Sequence, residues 1–98
     1  MTIEIKRNGE DTAVLLSGRL DTVTAPELEK TINEDIADIK NLILDLKDVE
    51  YISSAGLRVI LSAQKKMQKT GTMKVRNVCE IVMEVFEITG FADILTIE

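Results

Sequence analysis

The sequence predicts an α/β fold: one domain built on a mostly parallel mixed β-sheet that begins with an antiparallel hairpin. Stretches with strand character alternate with stretches of helical periodicity in the order β-β-α-β-α-β-α-β, which is typical of such a sheet. The chain has 98 residues, of which 45% are hydrophobic, and this is enough for a single core. No linker, charge block or internal repeat divides it, so we expect residues 1–98 to form one domain.

The first two strands are predicted to form the hairpin. Apolar and polar residues alternate in Ile3-Glu4-Ile5, and Asn8-Gly9-Glu10-Asp11 is a turn cluster. The next stretch, Ala13-Val14-Leu15-Leu16, is apolar at every position. We therefore expect it to lie further inside the sheet than the first strand.

A first helix is predicted from Thr24 onward. Thr24 is a suitable N-cap, Pro26 is tolerated in the first turn, and Glu27 stands at the capping-box position. Four aliphatic residues at helical spacing should form its buried stripe: Leu28, Ile32, Ile36 and Ile39.

The middle of the chain predicts the central strand and the longest helix. Residues 42–46 are the most apolar strand candidate and should lie inside the sheet. A helix is predicted from about Ser54 to Thr70, with Gly71 as its C-cap, and a strand should follow over residues 73–76.

The last part of the chain predicts a third helix and a closing strand. The helix should run from about Cys79 to Thr89 and stop at Gly90, and residues 94–97 should form a short strand. Four apolar residues of this helix are expected to be buried: Ile81, Val82, Val85 and Phe86.

The composition excludes several classes of function. With 12 basic and 17 acidic residues, the net charge of −5 provides no electrostatic basis for binding nucleic acid or an anionic membrane. Histidine is absent and Cys79 is the only cysteine, so an intrachain disulfide and a Cys/His metal site are excluded. Cys79 is expected to be a small buried hydrophobe. With no signal peptide or membrane-spanning run in the sequence, a cytoplasmic protein is expected.

Enzymatic activity is not predicted. Ser53 and Ser54 have no histidine base, and the sequence contains neither a nucleophile elbow nor a glycine-rich phosphate-binding motif. Asp21, Asp45 and Asp48 could converge at one sheet edge and bind a divalent cation, which keeps a minimal metal-dependent enzyme open as an alternative. A role for these aspartates in turns is favoured. We therefore expect no catalytic residues, no metal and no cofactor.

The most informative segment joins the central strand to the long helix, over residues 48–57. It places Ser53 and Ser54 side by side where the helix begins. Serine is a common N-cap, and a phosphate at this position would meet free backbone N–H groups and the positive end of the helix dipole. From the residues alone, the capping role is the more common one.

The same segment carries a resemblance to a known family. Asp48, Tyr51-Ile52 and Ser53-Ser54-Ala55-Gly56-Leu57 resemble the motif of STAS domains, specifically of the bacterial anti-sigma-factor antagonists. Two flanking signatures agree: Gly18-Arg19-Leu20-Asp21 followed by Ala25-Pro26, and the stretch from Phe86 to Phe91. Element order and length agree as well, so the resemblance covers essentially the whole chain as a single STAS domain.

The resemblance implies a switch between binding partners. The unphosphorylated antagonist would bind a serine-kinase anti-sigma factor and free the sigma factor. Phosphorylation by that kinase would release the antagonist, and a PP2C-type phosphatase would restore it. The acceptor of the family falls on Ser54. The family's preceding Asp is Ser53 here, which makes Ser53 an alternative acceptor, and Ala55 replaces a second hydroxyl residue.

The partner surface is predicted to surround this acceptor. Six residues are expected to shape it, with the last two forming an adjacent rim: Ser53, Gly56, Leu57, Arg58, Asp21 and Asp48. The alternative is a STAS module outside sigma-factor control, which would bind a different regulator or a small ligand.

Overall fold

A mixed four-stranded sheet organises the protein, as seen in a computed structural model that describes residues 1–36 and 38–98. In the described part of the chain the strands lie in the order β1-β2-β3-β4. They comprise β1 (Thr2–Asn8), β2 (Asp11–Leu20), β3 (Asn41–Ile52) and β4 (Thr72–Arg76). β1 and β2 are antiparallel, whereas β2, β3 and β4 are parallel, which confirms the predicted sheet.

The β1–β2 hairpin closes through the predicted turn. Asn8 lies opposite Asp11, and Gly9 occupies the first central position of the turn with φ +67°. Glycine adopts this left-handed conformation without a steric penalty, which suits the primed turns of two-residue hairpins.

Three α-helices connect and cover the strands within residues 1–36 and 38–98: α1 (Ala25–Lys30), α2 (Ser54–Thr70) and α3 (Glu80–Thr89). A π-helical segment, Thr31–Asp35, extends α1. The predicted burial of the four aliphatic residues is confirmed, since all are at most 6% exposed. Ile36 and Ile39, however, follow the helical segments, which end at Asp35. The predicted bounds of α2 are confirmed.

The predicted capping box at the start of α1 is wrong. Thr24 is the N-cap residue, but its side chain makes no capping hydrogen bond. Its hydroxyl instead accepts from the Asp21 N–H at 2.9 Å and donates to the Arg19 carbonyl at 2.6 Å. Thr24 already has helical backbone angles, φ −93° and ψ −20°, rather than the extended angles that direct an N-cap side chain over the first turn.

One face of α3 packs against the core, and it is narrower than predicted. Val82 and Phe86 are fully buried, whereas Val85 is half-buried. The predicted burial of Ile81 is wrong, since this side chain is 61% exposed. Val82 and Phe86 are four residues apart and share a face, but Ile81 is rotated by about 100° from Val82.

The two ends of α3 differ in how closely they follow the prediction. Cys79, the N-cap residue, is half-buried rather than fully buried, and its thiol donates to the Val49 carbonyl at 3.3 Å. Gly90 ends the helix in the left-handed conformation, with φ +82°, as a C-terminal glycine commonly does.

The predicted closing strand over residues 94–97 is reduced to a one-residue parallel bridge between Ile97 and Val75 of β4. A 3₁₀ turn, Phe91–Asp93, precedes it, and Ile94 still has helical backbone angles. Only the last residues are therefore extended. The Val75 N–H donates to the Thr96 carbonyl at 2.8 Å, and the Glu98 N–H donates to the Val75 carbonyl at 2.9 Å.

The core lies on one face of the sheet. Alternate residues of β2 and β3 are buried there, as expected for strands that pack one face against helices: Val14, Leu16, Leu42, Leu44 and Leu46.

The predicted C-cap Gly71 donates its N–H to the Met67 carbonyl at 2.7 Å. A Cβ at Gly71 would collide with the Lys40 backbone, so glycine allows the chain to enter β4 beside β3.

Candidate functional site

The two serines follow directly from the buried end of β3, and Ser53 is held in place by the backbone. Its N–H donates to the Leu20 carbonyl at 2.9 Å, which continues the contact between β2 and β3. It has an extended conformation, and its hydroxyl accepts from the Gly56 N–H at 3.3 Å. Ser53 is therefore the N-cap of α2, as the capping interpretation of this segment predicted for one of the serines.

Ser54 occupies the first position of α2 and is exposed. Because Ser53 provides the capping hydroxyl, the Ser54 hydroxyl is not needed for that role. The 17-residue helix that starts here has unpaired N–H groups in its first turn and a positive dipole end. An anion attached to Ser54 would meet a favourable local field.

Gly56 and Leu57 fix the start of α2 against the sheet. A Cβ at Gly56 would lie 2.7 Å from Leu20 Cγ and 3.0 Å from Ile52 Cγ1, so only glycine permits this close packing. Leu57 is 9% exposed, and its N–H donates to the Ser53 carbonyl at 2.9 Å. Both residues are buried and hold the first turn of α2 in place against the sheet.

Asp21 forms the turn that leads from β2 into α1. Its Oδ1 accepts from the N–H groups of Val23 and Thr24 at 3.0 and 3.1 Å, and from the Thr24 hydroxyl at 3.2 Å. The backbone hydrogen bond from Thr24 is the main cause of a lowered Asp21 pKa, and it outweighs the opposing effect of desolvation. Asp21 is thus a turn residue that keeps its negative charge at the rim.

Arg19 links the end of β2 to the end of β3. Its Nε lies 3.6 Å from Asp21 Oδ2, and its guanidinium carbon lies 4.0 Å from the centre of the Tyr51 ring, a cation–π contact. Arg19 and Tyr51 are also cross-strand partners in the sheet. The sequence did not identify these two residues as part of the site, because two register shifts between β2 and β3 decide which residues face each other.

Asp48 is an exposed residue of β3, the strand that leads directly into the two serines. With Arg19, Tyr51 and Ile81 it lines a shallow groove of about 540 Å³, which Gly18 and Glu50 complete. The exposed Ile81 thus contributes an apolar side chain to this surface. Its presence was not predicted, because the helical pattern placed it in the core.

The alternative metal site receives no geometric support from the residues described. Asp45 accepts two hydrogen bonds from the Asn77 amide, at 3.1 and 3.2 Å, while Asp21 is engaged by its own turn. Across residues 1–36 and 38–98, no three side chains of the acidic, cysteine or histidine types are grouped to hold a metal ion. The structure does not bring the three aspartates together.

Arg58 is exposed one turn after Ser54 and lies beside a second groove. This groove has a volume of about 290 Å³ and runs between α1 and α2. Its lining comprises Thr22, Ala25, Pro26, Glu29, Ala55, Arg58 and Val59. Val23, in the adjoining turn, is 84% exposed and adds an apolar contact point that the sequence did not reveal.

The residues described in this section thus comprise the exposed Ser54 hydroxyl, charged residues such as Asp48 and Arg58, and exposed apolar side chains such as Val23 and Ile81. Such a combination is suited to protein recognition, with aliphatic and aromatic contacts inside a polar rim. Among the described residues, none of the helices has the length and apolar character needed to cross a lipid bilayer.

Comparison with known proteins identifies the family. The family model of the STAS domain matches residues 2–98. The anti-sigma-B factor antagonist of Bacillus subtilis is 33% identical over 98 residues, covering 99% of this chain and 90% of that protein. The corresponding antagonist of Listeria monocytogenes is 30% identical over 103 residues, covering 100% of this chain and 89% of that protein.

A solved structure agrees with the sequence comparisons. The crystal structure of an anti-sigma factor antagonist from Mycobacterium paratuberculosis superimposes with a TM-score of 0.88 at 28% identity. The match covers 98% of this chain and 83% of that chain. On the family match over nearly its full length, this chain belongs to the STAS domain family.

Proposed function

We propose that this STAS domain is an anti-sigma-factor antagonist whose state is set at Ser54. The unphosphorylated form binds a serine-kinase anti-sigma factor and thereby frees the sigma factor. Phosphorylation of Ser54 by that kinase releases the antagonist, and a PP2C-type phosphatase restores it. The exchange takes place in the cytoplasm. The observation that carries the proposal is the exposed Ser54 at the start of α2, beside a Ser53 that already serves as the cap.

The antagonist role is supported by the relatives, and the choice of acceptor by the local geometry. Proteins 30% and 33% identical over the whole chain are anti-sigma-B factor antagonists. Ser54 is exposed, whereas Ser53 is half-buried and its hydroxyl accepts a backbone hydrogen bond. A kinase would have to break the cap to reach Ser53, so Ser54 is the favoured acceptor and Ser53 the alternative.

The fold can accept the phosphate. Phosphorylation adds a charge of about −1.5 to −2, and at a helix N-terminus this charge interacts favourably with free N–H groups and the dipole. Arg58 stands four residues after Ser54 on the same helix face and is exposed. It is free to approach a phosphate on Ser54, so the modification should leave α2 intact.

The same phosphate would disfavour the complex. A charge that becomes buried at an interface without a partner costs about 2–5 kcal/mol, or roughly thirty-fold to several-thousand-fold in affinity. This is sufficient for an exchange of partners without a change of fold. The antagonist itself would use no cofactor, since ATP belongs to the kinase.

The remaining predicted residues have different roles in this proposal. Ser53, Gly56 and Leu57 hold the start of α2 in position, whereas Arg58, Asp21 and Asp48 provide charged groups around the acceptor. Asp21 contributes its charge from a rigid turn, and Asp48 from the groove that contains Tyr51 and Ile81.

Intact-mass spectrometry after incubation with ATP and an extract of host cells tests the acceptor. Wild type, Ser54→Ala and Ser53→Ala should be compared, the last serving as the matched control. The proposal expects one added phosphate on wild type and on Ser53→Ala, and none on Ser54→Ala. Phosphate retained on Ser54→Ala, or absent from all three in an extract with active serine kinases, would contradict it.

A second candidate function is suggested by the groove between α1 and α2. Arg58, Glu29 and apolar residues line this groove, and such a lining could bind a small ligand. The protein would then be a STAS module outside sigma-factor control. Thermal stabilisation by a nucleotide or lipid in the absence of any kinase would favour this candidate. The absence of such stabilisation, together with phosphorylation of Ser54, would favour the antagonist.

A further inference from the structure

β1 forms an edge of the sheet that the proposed function does not use. Among the described residues its strand partner is β2, and six of its seven positions are exposed. Ile5, in the middle of the strand, is 37% exposed and is one of the few large hydrophobic residues at the surface. An exposed edge strand of this length can pair with another strand.

The hairpin geometry shows which backbone groups of β1 are available. Asn8 and Asp11 are separated by two residues and form the hydrogen-bonded pair that closes the turn. Hydrogen-bonded and non-hydrogen-bonded pairs alternate along an antiparallel ladder. Glu4 and Lys6 therefore bond to β2, whereas Ile3, Ile5 and Arg7 direct their N–H and C=O groups away from the sheet.

Glu4 and Lys6 carry opposite charges and flank Ile5 in the middle of β1. If a second β1 pairs in antiparallel orientation with Ile5 opposite Ile5, Glu4 of each copy faces Lys6 of the other. All seven residues of the strand then overlap, and Ile3, Ile5 and Arg7 make the hydrogen-bonded pairs. A shift of two residues in either direction would instead place Glu4 opposite Glu4, or Lys6 opposite Lys6.

We propose that β1 is a self-association edge, on which two copies of this chain pair their β1 strands about Ile5. The pairing continues the four-stranded sheet of each copy into a common eight-stranded sheet. It satisfies the outward backbone groups, brings the two Ile5 side chains together and forms two Glu4–Lys6 ion pairs. Charged residues on an edge strand usually prevent association, but here they select one register.

This edge is separated from the site of the proposed function. Ser54 follows β3, and β2 lies between β3 and β1 in the sheet. Self-association would therefore leave Ser54 accessible, and its test is independent of phosphorylation. Within one copy, Lys6 Nζ lies 4.0 Å from Glu4 Oε1, and both side chains are more than half exposed. Both side chains are therefore free to turn to a partner.

Sedimentation equilibrium over a concentration range up to millimolar tests the proposal. We expect wild type to approach twice the monomer mass of 10.9 kDa. Glu4→Lys and Lys6→Glu should each weaken association roughly tenfold, because both ion pairs become like-charge pairs. An equimolar mixture of these two variants should associate again, because each Lys then faces a Glu.

A control variant separates this effect from a change of net charge. Lys69→Glu makes the same charge change as Lys6→Glu, but on α2, and should associate like wild type. Wild type that stays monomeric throughout, single variants that associate as wild type does, or a mixture that stays monomeric would each overturn the proposal.

Discussion

Adjacent serines at the start of α2 illustrate how neighbouring residues of one type acquire different roles. Ser53 is extended, half-buried and bonded to the Gly56 N–H, whereas Ser54 is helical and exposed. The difference comes from a single step along the chain, because the N-cap side chain turns back over the first turn and the next side chain points outward. The sequence alone identified the pair but not this division of roles.

The capping role of Ser53 predicts a difference in stability between two alanine variants. Ser53→Ala should lower the free energy of unfolding by about 1 kcal/mol, because the Gly56 N–H loses its acceptor. Ser54→Ala, the matched control, should change it by less than about 0.5 kcal/mol. Urea denaturation measures both. Equal effects of the two substitutions would contradict the assignment of Ser53 as the cap.

Asp21 predicts a pH dependence of stability. Its folded-state pKa is lowered from 3.8, first by the Thr24 backbone N–H, so the ionised form stabilises the fold. This contribution is present above the unfolded-state pKa and is lost as the pH falls through the lower folded-state pKa. The stability difference between wild type and Asp21→Asn should therefore be present at neutral pH and shrink in acid below pH 3.8.

Urea denaturation at several pH values, with Asp48→Asn as a control for an exposed carboxylate of the same surface, measures this dependence. A difference between wild type and Asp21→Asn that grows as the pH falls through the acid range would contradict the direction of the pKa shift.

At the scale of elements, local patterns predicted some boundaries well and others poorly. The bounds of α2 were predictable because a capping serine, an aliphatic stripe and a C-terminal glycine all indicate the same helix. The closing strand was not, because residues 91–94 turn before the chain reaches β4. The Arg19–Tyr51 contact depends on register shifts between two distant strands, which local sequence does not specify.

The junction of β2, β3 and α2 predicts that Gly56 cannot be enlarged. Alanine normally favours a helix over glycine by about 1 kcal/mol, but here its Cβ would lie within 3.0 Å of Leu20 and Ile52. We expect Gly56→Ala to lower the free energy of unfolding by about 1–3 kcal/mol. Chemical denaturation measures the effect, and a variant as stable as wild type would show that this packing is not tight.

At the scale of the whole molecule, the architecture was largely predictable and the functional surface only partly. The alternation of strand patterns with helix patterns predicted the mixed sheet. Apolar residues recur every two residues in a strand and every 3.6 residues in a helix, and this spacing determines which side chains of an element face the core. The exposed Val23 and Ile81 were not predicted, because exposure of an apolar residue depends on which neighbouring elements fail to cover it.

For the whole molecule, we expect that a charge at Ser54 changes which partner is bound while the fold is retained. The most direct measurement is the affinity of the serine-kinase anti-sigma factor of the same organism for Ser54→Ala and for Ser54→Asp. Circular dichroism of both variants is the control for the fold. We expect matching spectra for the two variants, with binding of Ser54→Asp at least about thirtyfold weaker than binding of Ser54→Ala. Equal affinities for the two variants would contradict it.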